Sequence, residues 1–178
     1  MRIVGGKYKG RVLTGFENIG VRPTSDMTRE SLFNILQTVI YGATFLDLYS
    51  GTGAMGIEAL SRGAKRAVFN DSSRQSISVI KKNLEKLKVA EDFSVLNFDA
   101  ITFLKRTDEK FDIIYVDPPY KSGLNEQSIK ACYNALSQDG VAILESESVF
   151  DGEIEGFKIT DKRKYGRAHL TFFKKEEN

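Results

Sequence analysis

Four aspartates and a pair of prolines carry the chemistry this sequence can do. Asp47, Asp71, Asp99 and Asp117 each fall at or just past the end of an apolar run, in ATFLDLYS, AVFND, FSVLNFDA and IIYVDPPY. Asp47 lies four residues before Gly51, and Gly51, Gly53 and Gly56 spell G-x-G-x-x-G. Such a turn lets a ligand lie against the main chain, and two ligand classes use it. A dinucleotide brings a pyrophosphate, which seeks backbone N–H groups at a helix start. S-adenosylmethionine brings an ammonium and a sulfonium beside one carboxylate, and no phosphate. A carboxylate at position 47 would repel the pyrophosphate but can accept from the loop N–H groups and from an ammonium. Asp47 therefore favours S-adenosylmethionine. Asp71 follows Asp47 by 24 residues, near the spacing of about 20 at which an acid takes ribose hydroxyls. Asp99 can accept from an adenine amine. Tyr49 within the turn and Ala100 beside Asp99 complete the cofactor candidates.

The corner Asp117-Pro118-Pro119-Tyr120 is more specific. Proline cannot donate to a sheet ladder, so the strand FDIIYV must stop there. An exocyclic amine on a nucleobase is a poor nucleophile because its lone pair is delocalised into the ring. Holding its N–H bonds on fixed acceptors lets the nitrogen pyramidalise toward a methyl donor. The Asp117 carboxylate and a proline carbonyl are two such acceptors, and proline's fixed φ holds the carbonyl without reorganisation. Tyr120 offers a ring on which an extruded base can stack. Asp117, Pro118 and Tyr120 are the catalytic candidates. With no cysteine near the corner, a route through a covalent adduct on the base ring has no nucleophile.

These residues need a frame that brings strand ends together. From Thr44 onward the sequence alternates strand, turn and helix, with strands at ATFLDLYS, AVFN, FSVLN, IIYV and VAILES. Helices are expected over IEALSRG, from Ser73 to Leu87 and near Leu124–Leu136, and FKITDKRKYGRAHLTFF predicts a closing hairpin about Tyr165-Gly166. Fully apolar strands alternating with helices predict a mostly parallel sheet covered on both faces, with ligands at the carboxyl ends of the strands. The fold expected is α/β, a Rossmann-like, mostly parallel sheet of seven strands. Before it, residues 1–24 read as a basic β-hairpin extension, and residues 25–178 as the catalytic domain. Ser25 or Asp26 can cap a first helix whose apolar face carries Leu32, Ile35, Leu36, Val39 and Ile40.

Composition narrows the surroundings. The 178 residues carry a net charge of +2 and one cysteine, Cys132, so no intrachain disulfide forms. Neither a membrane span nor a signal peptide is legible, and no Cys/His cluster suggests a metal. A reduced, cytoplasmic protein is expected, and no coiled-coil heptad demands more than a monomer. Charge is unevenly spread. Residues 1–29 hold six bases against two acids, Asp139 to Glu155 hold six acids and no base, and Lys158, Lys162, Arg163, Lys164 and Arg167 follow. Basic ends suit a polyanionic partner. The acidic stretch has no functional account in the sequence.

Longer blocks carry a resemblance. MRIVGGKYKGR, RPTSDMTRESLFNIL, LDLYSGTGAMGIEALSRGA, VDPPY and YGRAHLTFF together resemble the RsmD-type guanine-N2 methyltransferases of small-subunit ribosomal RNA, over nearly the whole chain. The resemblance implies a Rossmann-like class I methyltransferase fold, S-adenosylmethionine as the cofactor, and methylation of the exocyclic N2 of a 16S guanine by direct in-line transfer. It implies ribosomal RNA or an assembling small subunit as partner, and no metal or membrane. Asp47, Gly51 and Gly53 would form the cofactor loop, Asp71 the ribose contact and Asp99 the adenine contact. At Asp71 the family commonly has glutamate, one methylene longer, so this contact is expected to be less direct. Arg22 and Thr24 would close over the methionine end. Lys7, Lys9, Arg11, Arg22 and Arg29 are the RNA-binding candidates. Two alternatives stay open: an N6-adenine methyltransferase of DNA, using the same acceptor corner, and an RNA-binding assembly module without activity.

Overall fold

The apolar runs become neighbouring strands of one sheet. In the computed structural model, which describes residues 1–16, 25–119 and 123–177, the sheet has seven strands in the order β3-β2-β1-β4-β5-β7-β6. These are β1 (Thr44–Asp47), β2 (Arg66–Asn70), β3 (Asp92–Leu96), β4 (Phe111–Val116), β5 (Leu136–Ser146), β6 (Phe157–Tyr165) and β7 (Ala168–Lys175). The first five in chain order pair in parallel, while β7 runs antiparallel to both β5 and β6. The strand order reverses between β1 and β4, so the crevice of the sheet opens above Asp47 and Asp117.

The helices are α1 (Asp26–Ile35), α2 (Ala54–Ser61), α3 (Arg74–Leu87), α4 (Ala100–Arg106) and α5 (Asn125–Cys132). Ser25 caps α1 by accepting from the Thr28 amide at 3.1 Å, and Ser73 caps α3. Alternation along the strands divides the core in two. Phe45, Phe69, Ile113, Tyr115 and Ile143 pack on the face that also buries Leu32, Ile57 and Ile80. Leu46, Val68, Ile114, Val116 and Leu144 pack on the other face with Phe103 and Ile129. No helix among the described residues is long and apolar enough to cross a membrane.

Two helices differ from the sequence reading. The helix α4 was not legible, because AITFLKR is short and its signal is mainly the Asp99 cap. The helix α1 is shorter than its apolar face suggested: it passes into a 3₁₀ turn at Leu36–Thr38, leaving Val39 50% exposed. The N-terminal segment folds back on itself and packs against the helices. Its one antiparallel bridge joins Arg2 to Val12, while Ile3, Tyr8 and Leu13 are buried in the same core as α1, α2 and α3.

That segment is bonded tightly to the helices. The Lys7 amide donates to the Ser61 carbonyl at 2.7 Å, the Tyr8 amide to Ser61 Oγ at 2.9 Å, and the Val4 amide to the buried Glu58 carboxylate at 2.9 Å. Gly6 has φ +72°, and a Cβ there would stand 1.9 Å from the Ser61 carbonyl oxygen. Only glycine allows that approach.

Candidate functional site

At the carboxyl edge, β1 ends on Asp47, which is 1% exposed. Its Oδ2 accepts from the Gly56 amide at 3.0 Å, in the first turn of α2. Burial pushes the Asp47 carboxyl up to about 7, the Gly56 bond opposes that, and the charge of Asp71 adds to it. A buried acid held this way is a strong seat for a cation, because a positive group restores what desolvation took.

The glycines have separate tasks. Gly51 and Gly53 adopt φ of +54° and +80°, turning the chain from β1 into α2. Gly56 serves packing: a Cβ there would lie 2.3 Å from Phe69 Cε1, so the third glycine lets α2 sit close on β2. The loop is braced from several sides. The Ser50 amide donates to the Asn70 carbonyl at 2.9 Å, and Ser50 Oγ donates to the Asp47 carbonyl at 2.6 Å. Tyr49 shares a 2.7 Å hydroxyl bond with Ser128 of α5, and burial raises its phenol.

Asp71 lies just past β2 and accepts from the Gly51 amide through Oδ2 and from the Ser73 amide through Oδ1, both at 2.8 Å. In this structure its carboxylate braces the glycine loop. Asp99 caps α4: its Oδ1 accepts from both the amide and the hydroxyl of Thr102 at 2.8 Å, and those bonds hold its carboxyl below the usual value. Ala100 is buried as the first residue of α4. Asn70, fully buried, donates to the carbonyls of Leu48 and Phe98 at 3.1 and 3.2 Å. Its Oδ1 has no partner among the described residues. A buried acid, turned glycines and a spare buried acceptor fit a cationic adenosyl ligand.

Asp117 stands one residue beyond Val116, with Pro118 buried behind it. Burial, the charge of Glu145 and the charge of Asp47 together push the Asp117 carboxyl well above its ordinary value. Because Val116 pairs with Leu144, Asp117 is level with Glu145 of β5. Tyr115 donates its hydroxyl to the Glu145 carboxylate. Asp47, Asp117 and Glu145 thus form an acidic rim across the crevice. Sequence reasoning missed Glu145, although it ends the fifth apolar run, VAILES, as the other acids end theirs. Tyr120 and Arg22, with Thr24, lie outside the described residues.

The basic candidates fare differently. Arg29 is fully buried and donates to the Arg2 carbonyl at 2.7 Å and to Asp26 at 2.6 Å, so its guanidinium does not face a phosphate. It anchors α1 to the N-terminal segment instead. Lys7 pairs with Glu91 at 2.8 Å, and Arg11 donates to the Leu87 carbonyl at 2.9 Å. Both partners lie where α3 gives way to β3, at the amino edge of the sheet and opposite the acidic rim. Lys9 is exposed.

Asn83 of α3 connects this segment to the glycine loop, which the sequence did not disclose. Fully buried, it accepts from the Thr14 amide at 2.7 Å and donates to the carbonyls of Thr14 and Thr52, each at 3.0 Å.

The family model described as conserved hypothetical protein 95 matches residues 1–174. Ribosomal RNA small subunit methyltransferase D of Escherichia coli K12 is 39% identical over 155 residues, covering 87% of this chain and 76% of its own. The solved structure of the yhhF methyltransferase of Escherichia coli superposes with a TM-score of 0.87 at 32% identity, over 99% of this chain and 98% of its own. SMU.776, a methyltransferase complexed with SAH, shares the fold at 17% identity, with a TM-score of 0.72 over 89% of this chain and 52% of its own.

Proposed function

This chain belongs to the RsmD family of ribosomal RNA methyltransferases, and from that premise we propose that it methylates the exocyclic N2 of a guanine in small-subunit ribosomal RNA. S-adenosylmethionine is the cofactor. The observation that carries the reading is that Asp117-Pro118 and Asp47 stand at the carboxyl ends of the paired strands β4 and β1, beside the glycine turn.

When bound, the cofactor supplies an electrophilic methyl on a sulfonium, beside an ammonium. Asp47 and the glycine loop would hold its cationic end, and Asp71, Asp99 and Asn70 would face the adenosine. The Asp117 carboxylate and the Pro118 carbonyl accept from the two N–H bonds of the guanine amine and aim the nitrogen lone pair into the crevice. Tyr120 stacks the extruded base. The amine must shed a proton as its new bond forms. Asp117, raised by burial and by Glu145, is basic enough to take that proton and pass it to water. The Asp47 carboxylate would also be electrostatically selective, since it would hold a sulfonium more strongly than the neutral thioether left after transfer.

The test is nucleoside mass analysis after incubation of the protein and cofactor with small-subunit RNA or particles. We expect one N2-methylguanine with the parent chain. With Asp117→Ala we expect a loss of roughly a hundredfold or more and near-parent cofactor binding by calorimetry. Methylated adenine would replace this reading with the adenine one. Undiminished transfer by Asp117→Ala would remove the role given to that carboxylate.

A further inference from the structure

An acidic rim repels the backbone of the polyanion it must receive. Asp47, Asp117 and Glu145 lie at the carboxyl ends of β1, β4 and β5, so the RNA needs cations beside the site to hold its phosphates there. The helices do not supply many. Lys86, Lys105, Arg106 and Lys130 sit in the last turns of α3, α4 and α5, and in a parallel α/β sheet those turns lie at the amino edge. Arg74, at the start of α3, is on the carboxyl side. Lys7 and Arg11 are at the amino edge and already engaged.

The antiparallel pair β6–β7 reverses this arrangement. Because β7 runs against β5, the β6–β7 turn lies at the carboxyl edge. Ser146 of β5 pairs with His169, and His169 pairs with Lys164. Glu145 pairs with Leu170, and Leu170 with Arg163. Tyr165 pairs with Ala168, so Gly166 and Arg167 extend past the end of β5. At about 4.8 Å between strands, Arg163 and Lys164 lie roughly 10 Å from the level of Glu145 and roughly 14 Å from that of Asp117. Lys162, Arg163, Lys164 and Arg167 are all exposed. Lys162 meets Asp151 at 3.4 Å and Arg163 meets Asp161 at 2.8 Å, both at the surface. Lys164 and Arg167 take part in no ion pair among the described residues.

We infer that the tip of the β6–β7 hairpin, through Lys164 and Arg167 with Lys162 and Arg163 beside them, grips the phosphates of the substrate RNA next to the target base. This rests on the RNA-methylating reading above and names where the RNA backbone is held. The hairpin carries positive charge past the edge of the sheet that the acids occupy. A single-stranded or looped RNA then lies with one base in the crevice and its backbone turned away from the carboxylates. The contact is to phosphate, so it positions the substrate without reading sequence.

The test removes the same charge at two places on one hairpin. Lys164→Ala with Arg167→Ala alters the tip, and Lys158→Ala with Lys174→Ala alters the opposite end, where those residues pair across the strands. Binding of small-subunit RNA is measured against salt for the full chain, together with steady-state methylation and cofactor binding. The tip variant should bind RNA roughly tenfold more weakly, with a salt slope reduced by about 1 to 2. Its KM for RNA should rise while kcat and cofactor affinity stay near parent values. The opposite-end variant should behave like the parent. Equal losses in both variants, or an unchanged slope at the tip, would overturn the inference. So would a loss seen only with the protein-bearing particle and not with RNA, since the hairpin would then be touching protein. If the parent chain transfers no methyl group to this RNA, the methylation reading falls, and the two salt slopes still decide the hairpin.

Discussion

Asp117 and Glu145 are level on adjacent strands, and the charge of Glu145 makes Asp117 harder to ionise. That coupling gives Asp117 two properties a lone strand-end acid lacks: a raised affinity for a proton and a dependence on its neighbour. Glu145→Gln removes one of the charges that raise Asp117 while keeping an acceptor for the Tyr115 hydroxyl. The acid limb of the pH–rate profile for methyl transfer should therefore move to lower pH in Glu145→Gln. A limb that stays where it was would mean that Asp117 does not govern it. Arg29 teaches the converse lesson. Its position in a basic stretch suggested a phosphate contact, but a guanidinium with no exposure and two close acceptors is a structural tie.

Among the elements, the N-terminal segment and α3 form one unit with the glycine loop. Asn83 satisfies the amide and carbonyl of Thr14 and the carbonyl of Thr52 at once. Asn83→Ala would leave those partly buried backbone groups without their partner, at a cost of roughly 1–3 kcal/mol to stability by chemical denaturation. Because Thr52 belongs to the loop, cofactor affinity should fall in the same variant even where it is fully folded. A loss of stability with unchanged affinity would show that the loop keeps its shape unaided.

For the whole molecule, the cost of the acidic rim appears as a pH dependence. Asp47 has an ordinary value of 3.8 and rises to about 7 in the folded chain. Between those values the folded state holds more protons than the unfolded one, so stability falls as pH rises through that window. Asp117 acts in the same direction. The cofactor-free protein should lose thermal stability from about pH 4 to about pH 7, and Asp47→Asn should flatten that loss. A bound cation favours the ionised form, so cofactor affinity should strengthen over the same range. Thermal melts and calorimetry at matched ionic strength check both. A melting temperature independent of pH would refute the strained rim.

The sequence by itself determined the alternating frame, the acids at or after the ends of the first four strands, the glycine turn and the proline corner. Each is a local signal: a period, a breaker, or a residue whose backbone freedom is fixed. It also disclosed the uneven charge, but not where the charge goes. Tertiary structure decided that Glu145 joins Asp117, that Asn83 ties the N-terminal segment to the loop, and that Arg29 is buried. It decided too that the first glycine-rich stretch packs at the amino edge, while the last basic stretch turns at the carboxyl edge. These depend on strand order and direction, set by contacts between residues far apart in the chain. Spacing along the sequence carries no record of them.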